Sequence, residues 1–248
     1  MGAWASAALL LDTPVRLVLQ ARLLVSPGDP VAPMAANVLG TTWGNGLALQ
    51  AIAALAALAG FVLAKRARAA GWILALAAAL ALALSFSLMG HAVAPERGVA
   101  LSVLDDWLHV LSAGGWTGTL AVVVTASMTL RRSDDGGAVL ATVIALFHRV
   151  AMMCLVTLLA SGTISVLLRV QHLRDLFGAT YGTLLFAKLA LVGVVAGFGW
   201  YHARTAESRA RRAGTQSVAR TLAVETGLAV LVILVTAVLV GTEPPGGM

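Results

Sequence analysis

Six long apolar runs, at 44–64, 71–89, 104–130, 140–168, 184–203 and 222–240, decide what this chain can become. A helix that crosses a bilayer needs about 20 mostly apolar residues, and each run meets or approaches that length. Soluble proteins cover such segments with a charged shell that makes up about 25% of the residues. Only 11% of this chain is charged, against 59% hydrophobic, and the mean hydropathy is +0.91. Lipid must therefore replace water over most of the surface. The expected fold class is all-α: a polytopic transmembrane helical bundle of six to seven helices. It forms a single membrane domain over 1–248 with no sizeable soluble domain, and the bundle proper occupies 40–242. The uncertain element is 3–25, where Arg16, Gln20 and Arg22 interrupt the apolar pattern. It either spans the membrane as a seventh helix or lies at the interface. Pro27, Pro30 and Pro33 then predict a loop before the next span. The two longest runs predict tilt or projection beyond the lipid.

The formal charge of +6 is divided into short clusters between the apolar runs. These are Lys65, Arg66 and Arg68; Arg131 and Arg132; and Arg204, Arg209, Arg211, Arg212 and Arg220. Basic residues collect in cytoplasmic loops, so the 65–70, 131–139 and 204–221 loops are placed inside. The alternate segments, 26–43, 90–103 and 169–183, are then outside together with the C-terminus. Nucleic acid is an unsuitable partner because the charge forms no contiguous basic face. The single cysteine, Cys154, excludes an intrachain disulfide and any CxxC pattern. The N-terminus lacks the basic start of a secretory signal, and Asp12, Pro14 and Arg16 break its apolar stretch. Gly114 and Gly118 form a small-xxx-small pair, which predicts close helix packing. The alanine-rich stretch 74–83 reads as a lipid- or helix-packing surface.

Polar groups inside hydrocarbon are costly and generally have a reason, which narrows the search for chemistry. Three of the five histidines, His91, His109 and His172, share the outer membrane face in this topology. Asp105 and His109 are spaced to share one helix face, close in depth to Met89 and His91. Imidazole and thioether suit copper, and a carboxylate helps to capture a hydrated ion. His91, His109, Met89 and Asp105 are accordingly the candidate metal ligands, with His172 as an additional one. The competing reading is that Ser102-x-x-Asp105 is a capping box that merely starts the helix, with His109 an interfacial side chain. A second set, His148 and Met152 with Met153 and Cys154 beside them, offers nitrogen and sulfur donors at mid-membrane depth for passing copper inward. Its competing reading is methionine as core filler and an inert buried cysteine. His202 with Trp200 and Tyr201 reads as an aromatic interface belt. Lys188 can snorkel, and Glu225 can pair with a nearby arginine.

No Walker loop, HExxH, GxSxG or dinucleotide fingerprint occurs, so the chain is read as a non-enzyme and not as an ATP-driven pump. In their order and spacing, several short stretches resemble the copper resistance protein D family of bacterial inner-membrane proteins. They are Gly90-His91-Ala92, Leu108-His109, Gly115-Trp116-Thr117-Gly118, Ser161-Gly162-Thr163, Thr180-Tyr181-Gly182, Leu184-Leu185, Lys188-Leu189, Glu225 and Pro244-Pro245. Thr42-Trp43-Gly44 is similar to an earlier aromatic-glycine turn of the family. The resemblance covers the chain from about residue 40 onward, and it departs from the family's Arg-Phe-Ser at Leu146-Phe147-His148. It implies copper handling at the bacterial plasma membrane, generally import, and often a small periplasmic copper-binding partner. It also implies His91 and His109 as ligands, and it gives no role to Tyr181, Lys188 or Glu225. Two alternatives stay open at this point. One is a haem-binding membrane electron carrier with paired axial histidines. The other is a membrane assembly partner that holds no ligand.

Overall fold

The computed structural model describes residues 2–90, 98–130, 136–170, 173–177, 180–213 and 216–242. Within them the protein is helical, with no strand. In chain order the elements are α1 (Gly2–Leu24), α2 (Val31–Leu39), α3 (Thr42–Leu63), α4 (Arg68–Met89), α5 (Val99–Thr129), α6 (Gly136–Arg169), a 3-10 turn (Leu173–Leu176), α7 (Thr180–Ala213) and α8 (Gln216–Val240). Six helices are long and apolar enough to cross a membrane, and α1 is one of them. A further apolar stretch, Thr226–Val240, lies within α8. The chain divides into two compact units, Met1–Leu111 and Ser112–Met248, with the break inside α5.

Two elements differ from the sequence expectation. The proline-rich segment is not all loop: α2 occupies Val31–Leu39, with Pro30 at its N-cap. Pro33 is tolerated because the first turn of a helix has no intrahelical partner for its N–H groups. The arginine-rich segment 204–221 is also mostly helical, since α7 continues to Ala213 and α8 resumes at Gln216. At about 1.5 Å per residue, α7 exceeds a hydrocarbon core of about 30 Å. Its basic end therefore projects from the lipid.

The core of the first unit is the α3–α4 hairpin. Thr41 caps α3, its side-chain oxygen accepting the Gly44 N–H at 3.2 Å. The buried face of α3 carries Gly46, Leu47, Gln50, Ala53, Ala54, Ala57 and Gly60. The α4 face carries Gly71, Ala75, Ala78, Ala83, Ser85 and Ser87. Lipid offers apolar side chains no less favourable surroundings than another helix does. Association therefore depends on close van der Waals fit between small residues. The fit is tight: a Cβ on Gly60 would stand 2.7 Å from the Ala75 nitrogen and 2.9 Å from the Gly71 carbonyl oxygen.

In the second unit, Leu120 and Val123 of α5, Leu140, Ala141, Ile144 and Phe147 of α6 and Ala229 of α8 form one buried cluster. The GxxxG pair expected to pack finds no neighbour among the described residues: a Cβ on Gly114 or Gly118 meets none of them within 4 Å. Their neighbour Gly115 is the close approach: a Cβ there would stand 3.2 Å from the Cys154 sulfur on α6. Gly118→Ala should then be neutral or stabilise by up to about 1 kcal/mol through helix propensity. Gly115→Val should cost about 1–3 kcal/mol through overpacking. Thermal unfolding of the two variants in detergent measures the difference.

Candidate metal site

The first turn of α5 explains how its polar residues come to face inward. Gly98 precedes the helix at φ +73°, a left-handed conformation that glycine adopts freely. Its carbonyl accepts the Ser102 N–H at 3.0 Å. Ser102 therefore lies inside the helix and is not its cap. The capping-box reading of Ser102 and Asp105 fails on this geometry, and the buried Ser102 hydroxyl has no hydrogen-bond partner among the described residues. Asp105, one turn further, is only 4% exposed, and Ser102 is 2% exposed. His109 follows one turn later and is half-buried. Spacings of three and four residues place all three on one helix face. Hydroxyl, carboxylate and imidazole thus line a single inward-facing strip over the first three turns of α5.

This strip is tied to α4 by Trp107, whose indole N–H donates to the Leu80 carbonyl at 2.9 Å. Trp107→Phe should cost about 1 kcal/mol, because it leaves that hydrogen bond unmade. A fall in unfolding midpoint with little change in helical circular dichroism is the expected readout. Met89 closes α4 and is half-buried. Its Cγ would stand 2.7 Å from a Cβ on Gly46, so the thioether side chain is seated against α3. His91 and His172 lie outside the described residues. Among the described residues, no group of three or more His, Cys, Asp and Glu side chains gathers in metal-holding geometry.

The members of the second candidate set differ in exposure. His148 is half-buried and packs its ring 5.6 Å from that of Phe147, which belongs to the core cluster. Met152 is 46% and Met153 63% exposed, so neither fills the core. The Cys154 sulfur points at Gly115. The backbones of His202 and Glu225 belong to α7 and α8, and their side chains lie outside the description.

Tyr181 acquires a physical role that the sequence did not disclose. It is buried with Val170, Leu176 and Leu239, joining the 3-10 turn to α7 and α8. Gly182 beside it lies against the Leu176 backbone, where no side chain would fit. The Thr180-Tyr181-Gly182 motif is thus a packing device for the α6–α7 connection. Sequence reasoning also passed over Gln50, Ser85 and Ser87, all buried polar residues on helix faces. Their shared signal was available: a lone polar residue within an apolar run, on the face that also carries small residues.

Residues 141–239 match the family model described as copper resistance protein D. No curated protein and no solved structure matches the chain. The matched segment runs from the start of α6 through most of α8. It includes His148, Met152, Tyr181, Lys188 and Glu225. Met89, His91, Asp105 and His109 precede it.

Proposed function

With a copper resistance protein D segment over 141–239 as the premise, we propose that this protein carries copper ions across the bacterial plasma membrane, inward. The family and the spanning helices together make it a copper-related membrane protein. The observation that carries the finer reading is the buried strip on α5. Asp105, held at 4% exposure, puts a carboxylate oxygen inside the protein, where ionisable residues mark ion pathways. His109, one turn deeper on the same face, supplies an imidazole of the kind copper favours. In this reading His91 and Met89 receive the ion at the end of α4, and His109, which the Trp107–Leu80 hydrogen bond sets about 10–15 Å further along α4, takes it next. The unpartnered Ser102 hydroxyl adds an oxygen for an ion that arrives hydrated. The basic clusters support an orientation with this end of the bundle, and the C-terminus, outside. A periplasmic copper-binding protein is the expected donor.

The mechanism follows from ligand chemistry. Carboxylate and hydroxyl attract the hydrated ion, and imidazole and thioether then replace its water. Passage proceeds along helix-lined polar groups, driven by the copper gradient or by a coupled ion. Comparing cellular copper content between otherwise identical bacteria with and without the protein tests this directly. Expression should raise copper severalfold and raise no other first-row metal. Equal copper in both strains would remove the transport reading.

A further inference from the structure

The connection between the first two helices encloses a cavity that the copper reading does not use. After α1 the chain turns at Gly28, whose φ of +100° is a left-handed conformation open to glycine. The Asp29 N–H donates to the Ser26 carbonyl across this turn at 3.1 Å. Pro30, at φ −70° and ψ 132°, then starts α2 from an extended conformation. The end of α1, the turn and the first turns of α2 surround an open cavity of about 340 Å³. Small-molecule sites begin at about 300 Å³, and a single ion would leave most of this space empty. With α1 ending at Leu24 and α3 starting at Thr42, the cavity lies at the ends of two spanning helices, at the level of lipid headgroups.

The cavity walls carry two kinds of chemistry. Leu24, Val25 and Met34 supply apolar surface, and Asp29, Ser26 and Asn37 supply oxygen. Among the described residues, no ion pair or hydrogen bond engages the Asp29 carboxylate, the Ser26 hydroxyl or the Asn37 amide. No lining residue is basic, so the cavity carries the negative charge of Asp29 uncompensated. An ammonium group donates three hydrogen bonds and accepts none, which answers both the charge and the open acceptors. A quaternary ammonium has no N–H and would balance the charge while leaving the oxygens unmet. The apolar wall at the lipid boundary suits the glycerol and first acyl carbons that follow a headgroup. The phosphate between them would sit at the open mouth in water, at the depth of Arg22, which is exposed in the last turn of α1.

We propose that this cavity binds a phospholipid whose headgroup carries a primary ammonium, as phosphatidylethanolamine does, with Asp29 as its charge partner. The site is independent of copper transport, and its test reads no metal. The full-length protein is purified in detergent and stripped of lipid. Its unfolding midpoint is then followed against added phosphatidylethanolamine, phosphatidylcholine and phosphatidylglycerol with identical short acyl chains. A ligand that binds the native state raises the midpoint with its concentration. The wild type should respond to phosphatidylethanolamine at a concentration at least about tenfold lower than to the other two, because only that headgroup makes charge-assisted hydrogen bonds to Asp29. Asp29→Asn, at an exposed turn position outside every helix, should keep the lipid-free midpoint and lose the preference. Asp29→Glu should retain it. Ethanolamine alone, at the concentration where the phospholipid saturates, should leave the midpoint unchanged, since it lacks the apolar contacts. Equal responses of the wild type to the three lipids, an Asp29→Asn protein that still prefers phosphatidylethanolamine, or a full response to ethanolamine overturns the proposal.

Discussion

Bacteria expressing the His91→Ala, His109→Ala double variant should accumulate at least about tenfold less copper through this protein than those expressing the wild type. The magnitude follows from metal-site energetics. Changes in groups that merely support a ligand cost about 10–100-fold in affinity or activity, and the ligands themselves should cost no less. His109→Ala is a clean change for the fold, because alanine is the strongest helix former and His109 lies within α5. A companion variant, Asp105→Asn, keeps the shape of a side chain that is 4% exposed while removing its charge and exchanging one acceptor oxygen for a donor amide. It should weaken capture at low external copper and matter less at high copper. Met153→Leu, on a side chain 63% exposed, serves as the control and should leave accumulation unchanged. Wild-type accumulation in the double variant, at equal protein level, would mean that these imidazoles do not hold the ion.

The largest effect on stability should come from the α3–α4 hairpin. Gly60→Val and Gly71→Val each place branched carbons against backbone: Gly60 against Ala75 and Gly71, and Gly71 against Ala64. Backbone cannot move aside as the end of a flexible side chain can, so the helices must separate. Overpacking costs about 1–3 kcal/mol where a core can adjust, and a rigid hairpin should sit at or above the upper end. The expected result is loss of monodisperse protein on size-exclusion chromatography in detergent, or an unfolding midpoint many degrees lower. Gly118→Ala, which meets no neighbour, supplies the contrast. If all three variants behaved alike, small-residue packing would not be what holds the first unit together.

The spans were legible because their signal is compositional. A run such as 44–64 needs no tertiary information to be a membrane helix, and α3 is found at Thr42–Leu63. Even the ambiguous 3–25 became α1, and the structure supplies a reason it can hold an arginine: Arg16 is met by Gln50 from a helix 34 residues away in sequence. Contacts that join distant positions were not legible. The sequence offered Gly114 and Gly118 as the packing pair, and the spacing was right, but their surroundings are open. Gly60 and Gly71 do that work instead, on helices where alanine is so abundant that no pattern stood out. Ser102 and Asp105 likewise matched a capping box by spacing alone. The helix began earlier, at Val99, and turned both side chains inward.

The amino-acid order alone settled that the fold is a bundle of long apolar helices and which loops carry the basic charge, and it left the number of spans at six or seven. Those properties are sums over local segments, fixed by the cost of exposing apolar surface to water and backbone to hydrocarbon. Only the tertiary structure decided which small residues touch, which face of α5 is buried and which polar atoms lack a partner. Each of those depends on how helices rotate about their axes against neighbours, and a uniformly apolar helix carries almost no amphipathic signal to set that rotation.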